Sequence, residues 1–288
     1  MKVVLDCIPC YLRQVMNAAA QTEFSERESR ELMYQILPMI PELDPEGTPA
    51  ENSTLVLRKV NELLGIEDPF LSAKKEANEK ALSLLPQLRE RIRQSEDPLY
   101  TALQVSVAGN IIDLGIITDY NIEETLKESL SGTFARDDSE EFKKRLNQAC
   151  EVLILGDNSG EIAFDRLLVE ELRRFGVHVT FVVKGQAILN DATFEDAAEV
   201  GMDDVADVIS NGNGYLGTVV RKRSQELIEA MDRADLIISK GQANYESLES
   251  TREAGEKTYF LLRAKCEIVA GNLGVKLGNM VFARNSMS

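Results

Sequence analysis

Histidine is almost missing from this chain: His178 is the single one in 288 residues. Without a second histidine there is no His-rich zinc site of the usual hydrolase kind. A Ser-His-Asp triad would have to use that one residue, which sits in the alternating stretch Gly176-Val177-His178-Val179-Thr180-Phe181-Val182-Val183, on one face of an expected strand. Cysteine is also scarce. Cys7, Cys10, Cys150 and Cys266 are too few to staple a chain of this length and are better read as thiols or metal ligands than as disulfides. Positive charge is in deficit, with 32 Lys+Arg against 48 Asp+Glu and a net charge of -16. Such a surface is repelled by polyphosphate backbones, so nucleic-acid binding through a basic patch is not expected, whereas a small phosphorylated ligand remains compatible if a metal or local lysines offset the field. No apolar run approaches the roughly 18–20 residues that span a bilayer. Asp6 interrupts the N-terminus where a signal peptide would be continuously apolar. The chain is expected to be soluble and cytoplasmic, without membrane or nucleic-acid partners. What is left for catalysis is carboxylates, amides, lysines, thiols or a metal held by oxygen.

Hydrophobic residues make up 44% of the chain, enough for a real core. Residues 1–150 are expected to be helical, with apolar positions three and four apart near 26–40, 54–65, 71–94, 97–109 and 122–131. Ser25 followed by Glu28 resembles a capping box, and Asp97-Pro98 marks a helix start. From residue 151 the pattern alternates: strand 151–155, helix 161–175, strand 177–183, helix 192–200, strand 207–209, helix 218–232, strand 235–239, helix 244–253, strand 257–262 and an extended stretch near 275–284. This predicts an α/β fold: a three-layer α/β/α sandwich with a mostly parallel sheet over 151–288, beside an all-helical domain over 1–150. Ligands in such sheets bind beyond the carboxyl ends of the strands, and the loops there carry the candidate chemistry.

After the first strand comes Gly156-Asp157-Asn158-Ser159-Gly160-Glu161, opening into a helix. Asp157 and Asn158 offer hard oxygen ligands suited to Mg²⁺ or Mn²⁺. Ser159, Gly160 and Glu161 would present backbone N–H groups to an anion. An N-capping turn uses the same residue types. Asp191, after the next strand, is either a third oxygen ligand or a helix cap, and Lys184 either a phosphate contact or a solvated lysine. Gly212-Asn213-Gly214-Tyr215-Leu216-Gly217 formally matches G-x-G-x-x-G, but it is not in the opening βαβ unit and is read as a glycine-rich loop. Lys240 at a strand end suits a phosphate; Asn244 and Glu246 follow at a helix start, and Lys265-Cys266 lies after the next strand. Asn110 and Asp113 interrupt an apolar helical stretch, either as buried polar groups or aimed at a cleft between the halves. The C-x-x-C of Cys7 and Cys10 stands at the start of the helical half rather than after a strand, which favours structural thiols over a thioredoxin-like motif, with a partial metal site including Cys266 as the alternative.

Together these segments resemble the damage-control phosphatase family, the metal-dependent group known as domain of unknown function 89. The resemblance rests on Gly156-Asp157-Asn158-Ser159-Gly160-Glu161, Asn190-Asp191-Ala192-Thr193, Lys240-Gly241-Gln242-Ala243-Asn244-Tyr245-Glu246, Lys265-Cys266, Gly109-Asn110-Ile111-Ile112-Asp113 and the N-terminal C-x-x-C, in order from residue 7 to residue 266. The C-x-x-C, Ala243-Asn244-Tyr245-Glu246 and Lys265-Cys266 are similar to the branch called subfamily I, with Ala243 and Tyr245 in place of the family's Gly and Phe. The resemblance implies a helical domain beside an α/β/α sandwich and a divalent metal on Asp157, Asn158 and Asp191. It further implies hydrolysis of phosphate monoesters supported by Mn²⁺ or Ni²⁺, or by Co²⁺ or Mg²⁺, with sugar phosphates or oxidised nucleotides as substrates. On that reading Asp157, Asn158 and Lys240 are the catalytic candidates. Ser159, Gly160, Glu161, Asn110, Asp113, Asn244, Glu246 and Lys265 are the substrate-binding ones. Hydrolysis by water is favoured over an aspartyl-phosphate on Asp157, whose carboxylate the metal would occupy. The rival classes are an S-adenosylmethionine-dependent methyltransferase, which would favour a glycine-rich loop where Asp157-Asn158 stand, and a non-catalytic nucleotide- or metal-sensing module.

Overall fold

The computed structural model describes residues 1–109 and 132–286; Asn110, Asp113 and the expected helix at 122–131 lie outside the described residues. The chain opens with α1 (Cys7–Ala20), a helix absent from the expected list, followed by α2 (Glu26–Ile36), α3 (Pro49–Leu64), α4 (Leu71–Gln94) and α5 (Pro98–Ala108). Local chemistry sets the ends. Ser25 and Glu28 form the capping box foreseen for α2, Thr48 and Glu51 form one for α3, which stops at Gly65 in the left-handed region (φ 66°), and Asp97 caps α5 with Pro98 in its first turn. The helix expected to reach residue 40 ends at Ile36, because Pro38 and Pro41 remove donors and the chain tightens into a 3₁₀ segment, Leu37–Glu42.

The remainder alternates β1 (Arg136–Asp137), α6 (Ser139–Leu146), β2 (Glu151–Leu155), α7 (Glu161–Arg173), β3 (His178–Val183), α8 (Phe194–Glu199), β4 (Asp207–Ser210), α9 (Gln225–Arg233), β5 (Leu236–Lys240), α10 (Gln242–Leu248), β6 (Thr258–Arg263), α11 (Glu267–Leu273) and β7 (Met280–Arg284). The seven strands form one sheet in the order β1-β7-β6-β5-β2-β3-β4. All neighbours are parallel except β6 and β7. The mixed α/β fold is as expected. Helix α9 starts later than expected, at Gln225, where Ser224 supplies the cap. Helix α11, capped by Cys266, was not anticipated.

The central strands are buried on both faces, so alternate residues enter different cores. Val152, Ile154, Phe181, Ile238 and Leu261 pack with Leu103 and Val107 of α5 and with α4, α6 and α7. Leu153, Leu155, Val182, Ile237 and Phe260 pack with α9, α10 and α11. The first of these cores crosses residue 150, and the sheet reaches back to Arg136. Helices α1, α2 and α3 have a further cluster of their own, around Tyr11, Ile36 and Val60. Because α4 and α5 share a core with the sheet, the helical half is fixed against the strand ends.

Candidate functional site

Chain order reverses at β2. The strands β2, β3 and β4 run outward to one side, and β5 returns on the other side of β2. The carboxyl ends of β2 and β5 therefore border a topological switch point, the usual ligand crevice of an open parallel sheet. Asp157 follows β2 there, and Gly241 follows β5. A Cβ on Gly241 would stand 1.9 Å from Asp157 Oδ2, so only glycine lets the two loops meet.

The loops after β2 and β3 are joined by an antiparallel bridge between Asn158 and Asp191. Ser159 N–H donates to Asn190 O at 2.8 Å, and Ala192 N–H to Asp157 O at 2.8 Å. This short ribbon brings Asp157, Asn158 and Asp191 together, although Asn158 and Asp191 are 33 positions apart in sequence with α7 and β3 between them. Asp157 is 8% and Asp191 3% exposed. Burial raises the Asp157 carboxyl above its ordinary range against the opposing charges of Lys265, Lys184 and Lys240. Burial likewise pushes Asp191 up to about 7, with Lys184 opposing and Asp157 adding to the rise. Nearby Glu246 is pushed up to about 7, again by burial. Among the described residues no group of three or more His, Cys, Asp and Glu is arranged to hold a metal; the trio here is two carboxylates and an amide. It suits a hard divalent cation. The donors are all oxygen-bearing, the carboxylates are buried, and Asp191 Oδ2 has no hydrogen-bond partner, its nearest cation being Lys184 Nζ in an ion pair at 3.4 Å.

Five of the expected site residues are engaged elsewhere. Lys240 is not presented to a phosphate: it is 0% exposed, and its Nζ is paired with Glu161 and, at 2.6 Å, with Asp165 Oδ1, which also accepts from Ser106 Oγ at 2.6 Å. The two carboxylates hold the Lys240 ammonium well above its ordinary pKa, while burial pushes Glu161 up to about 8. Glu161, an expected substrate contact, is thus the partner of a buried cation. The backbone donors of Ser159 and Gly160 are likewise occupied: Ser159 N–H by Asn190 O, and Gly160 N–H by Asn78 Oδ1 at 2.7 Å. Asn244 is fully buried; its amide donates to Gly156 O at 3.0 Å and Lys240 O at 2.8 Å, and its oxygen accepts from Thr218 Oγ1 at 2.8 Å. It ties the ends of β2 and β5 together.

Asn78, on α4, was not singled out in the sequence. Besides holding Gly160 it donates to Asp196 Oδ1 at 3.0 Å and Glu199 Oε2 at 2.7 Å. Asp196 also accepts from Ser159 Oγ at 3.1 Å and pairs with the buried Lys74 at 2.9 Å. A helix of the N-terminal half thereby clamps the loop that carries Asp157 and Asn158.

A cleft of about 810 Å³ opens from this corner, with Asp157, Asn158 and Asp191 in its wall beside Glu246 and Lys265. Lys265 is exposed, and its charge is the largest of those lowering the Asp157 pKa. Gln242 braces this rim: its amide donates to Glu246 Oε1 at 2.9 Å, and its oxygen accepts from Lys265 N–H at 3.0 Å. The opposite wall is α1 with its C-cap, which together present Cys7, Cys10, Gln14, Asn17 and Gln21. Their three- and four-residue spacing is one helical stripe, a polar counterpart of the apolar periodicity that marks cores, and it was the available signal for this wall. His178 lies elsewhere, at the start of β3 between Glu151 and Asp207, each 3.0 Å away.

A family model described as the damage-control phosphatase ARMT1-like domain matches residues 3–281. A damage-control phosphatase of Archaeoglobus fulgidus is 36% identical over 287 residues, covering 98% of this chain and 98% of that protein. A damage-control phosphatase of Pyrococcus horikoshii is 30% identical over 290 residues, covering 99% of each. The crystal structure of a DUF89 family protein from Pyrococcus horikoshii aligns with a TM-score of 0.90 at 30% identity, over 99% of this chain and 100% of that one. Motifs, fold and near full-length similarity agree, and the chain belongs to the damage-control phosphatase ARMT1-like family.

Proposed function

We propose that this protein is a metal-dependent phosphatase that hydrolyses phosphate monoesters of small metabolites, sugar phosphates or damaged nucleotides, in metabolite damage control. The relatives named damage-control phosphatases support the phosphatase reading. The observation that carries metal dependence is the oxygen trio at the switch point, with its two buried carboxylates, in which Asp191 Oδ2 lacks a hydrogen-bond partner. Asp157, Asn158 and Asp191 would hold the ion, with Mn²⁺ or Ni²⁺ preferred and Co²⁺ or Mg²⁺ as alternatives. A bound divalent ion supplies charge neutralisation for the phosphoryl oxygens and acidifies water.

The chain's own residues do the rest. Gly241 and the Asn158–Asp191 bridge fix the carboxylates, so little reorganisation is needed when charge develops. Lys265, exposed in the cleft wall, takes the phosphate-facing part first expected of Lys240. The cleft is large enough for the organic portion of a metabolite as well as its phosphate, and the amides of Gln14, Asn17 and Gln21 can hydrogen-bond to hydroxyl groups. Lys240, Glu161 and Asn244 act through position, by fixing the ends of β2 and β5.

The test is phosphate release from para-nitrophenyl phosphate, sugar phosphates and nucleotides by metal-stripped protein with each metal restored, beside Asp157→Ala. Metal-dependent turnover that the variant loses supports the proposal. Tight metal binding without turnover on any ester overturns it in favour of a sensing module.

A further inference from the structure

Three of the chain's four cysteines, from opposite ends of the sequence, line the same cleft: Cys7 and Cys10 on α1, and Cys266 at the start of α11. The fourth, Cys150, is exposed just before β2. The three thiols are not equivalent. Cys10 is exposed, whereas Cys7 and Cys266 are half-buried. Cys266 Sγ already accepts from Val269 N–H at 3.5 Å, capping α11, and from Gln242 Nε2 at 3.6 Å. Cys7 and Cys10 both lie in the first turn of α1. Residues three apart in a helix have Cα atoms about 5 Å apart, inside the roughly 4.4–6.8 Å that a disulfide spans. Both side chains face the cleft, so the pair can close without moving α1.

We propose that Cys7 and Cys10 form a thiol–disulfide exchange site at the cleft, whose ligand is a small-molecule disulfide. Cys10 gives its proton to solvent, and its sulfur attacks one sulfur of the incoming disulfide. The S–S bond of the small molecule breaks, one half leaves as a thiolate that takes up a proton, and the other stays on Cys10 as a mixed disulfide. Cys7 then loses its proton and attacks Cys10 Sγ. The Cys7–Cys10 bond forms and the second half leaves as a thiol. Two protein thiols are oxidised and one small disulfide is reduced to two thiols. The mixed disulfide fills the cleft beside Asp157 and Asp191, and the second step empties it. Cys7 therefore keeps the cleft clear of thiol adducts. This last consequence rests on the phosphatase reading; the exchange chemistry does not.

The experiment uses the full chain carrying Cys150→Ser, which removes the distant exposed thiol. The reduced protein is treated with glutathione disulfide at about pH 8, since burial and Glu246 hold both thiols above their ordinary range. Intact mass, free-thiol count and peptide mapping are the readouts. The parent is expected to lose two thiols, keep no adduct and yield a linked peptide holding Cys7 and Cys10. With Cys7→Ser added, one glutathione per chain accumulates on Cys10, and phosphate release falls at least about tenfold relative to the same variant reduced, returning with dithiothreitol. Linkage through Cys266 overturns the proposal. So does an equal adduct rate with Cys10→Ser, or stoichiometric zinc binding by the three thiols that blocks exchange. If no state of the protein releases phosphate, the phosphatase reading fails while the thiol count still decides this one.

Discussion

Replacing Gly241 by alanine puts the proposed metal corner to a direct test. The new Cβ would lie 1.9 Å from Asp157 Oδ2, about 1 Å inside the 3.0 Å at which even crowded Cβ contacts stop. The contact cannot be relieved by a flexible side-chain end swinging into solvent, because Asp157 is buried and its loop is bridged to Asp191. Gly241 also has φ 77° and ψ 168°, a region open essentially to glycine, which costs other residues on the order of 1–3 kcal/mol. The melting temperature should fall by roughly 2–4 °C per kcal/mol in a chain of this size class. The larger effect is functional: a displacement near 1 Å at a reacting centre costs on the order of 10²-fold in rate. Gly65→Ala is the control, since Gly65 has φ 66° with nothing within 4 Å of its Cβ position; it carries backbone strain without touching the site. Calorimetric metal binding and kcat/KM for phosphate release are measured on both. Gly241→Ala with parental metal affinity and turnover would refute the assignment of Asp157 to the metal corner.

Lys240→Met separates a buried ion-pair role from substrate contact. Leaving Glu161 and Asp165 without their cation should destabilise the fold by about 3–5 kcal/mol, read as a lower urea midpoint; unchanged stability with lost turnover would instead restore Lys240 to the substrate. The pH dependence of the metal-free protein follows from Asp191 and Glu246, both pushed up to about 7. The folded state holds their protons longer than the unfolded chain does, so calorimetric stability should fall as pH rises from about 4 toward 7, and added Mn²⁺ should remove the part of that decline due to Asp191. Metal binding in the same range should release protons, measurable as a buffer-dependent binding enthalpy.

The parallel sheet was legible because its strands are short apolar runs alternating with amphipathic helices, and Asp157, Asn158 and Asp191 because they stand where strands end. Chain position could not say where side chains point after the turn. Lys240 at a strand end looks identical whether it faces the cleft or the core. Only the arrival of Glu161 and Asp165 from α7 turns it inward. Ser159 and Gly160 fit an anion cradle in sequence, but their donors are taken by Asn190 and Asn78, the latter more than 80 residues away. Helix α1 was missed because its first turn, Cys7-Ile8-Pro9-Cys10, reads as a C-x-x-C motif with a proline, and its apolar face rests on only Tyr11, Val15, Ala18 and Ala19.

The reach of Asn78 into the β2 loop bears on how this fold could be cut or grafted. A fragment beginning at residue 151 would carry all three oxygen donors, and a graft of those loops onto another parallel sheet would reproduce their order. Neither would bring the amide that holds Gly160 or the ammonium of Lys74 that anchors Asp196. The N-terminal helices are thus part of the scaffold of the corner that carries Asp157 and Asn158 rather than a detachable cap, and a minimal version of this protein must keep α4.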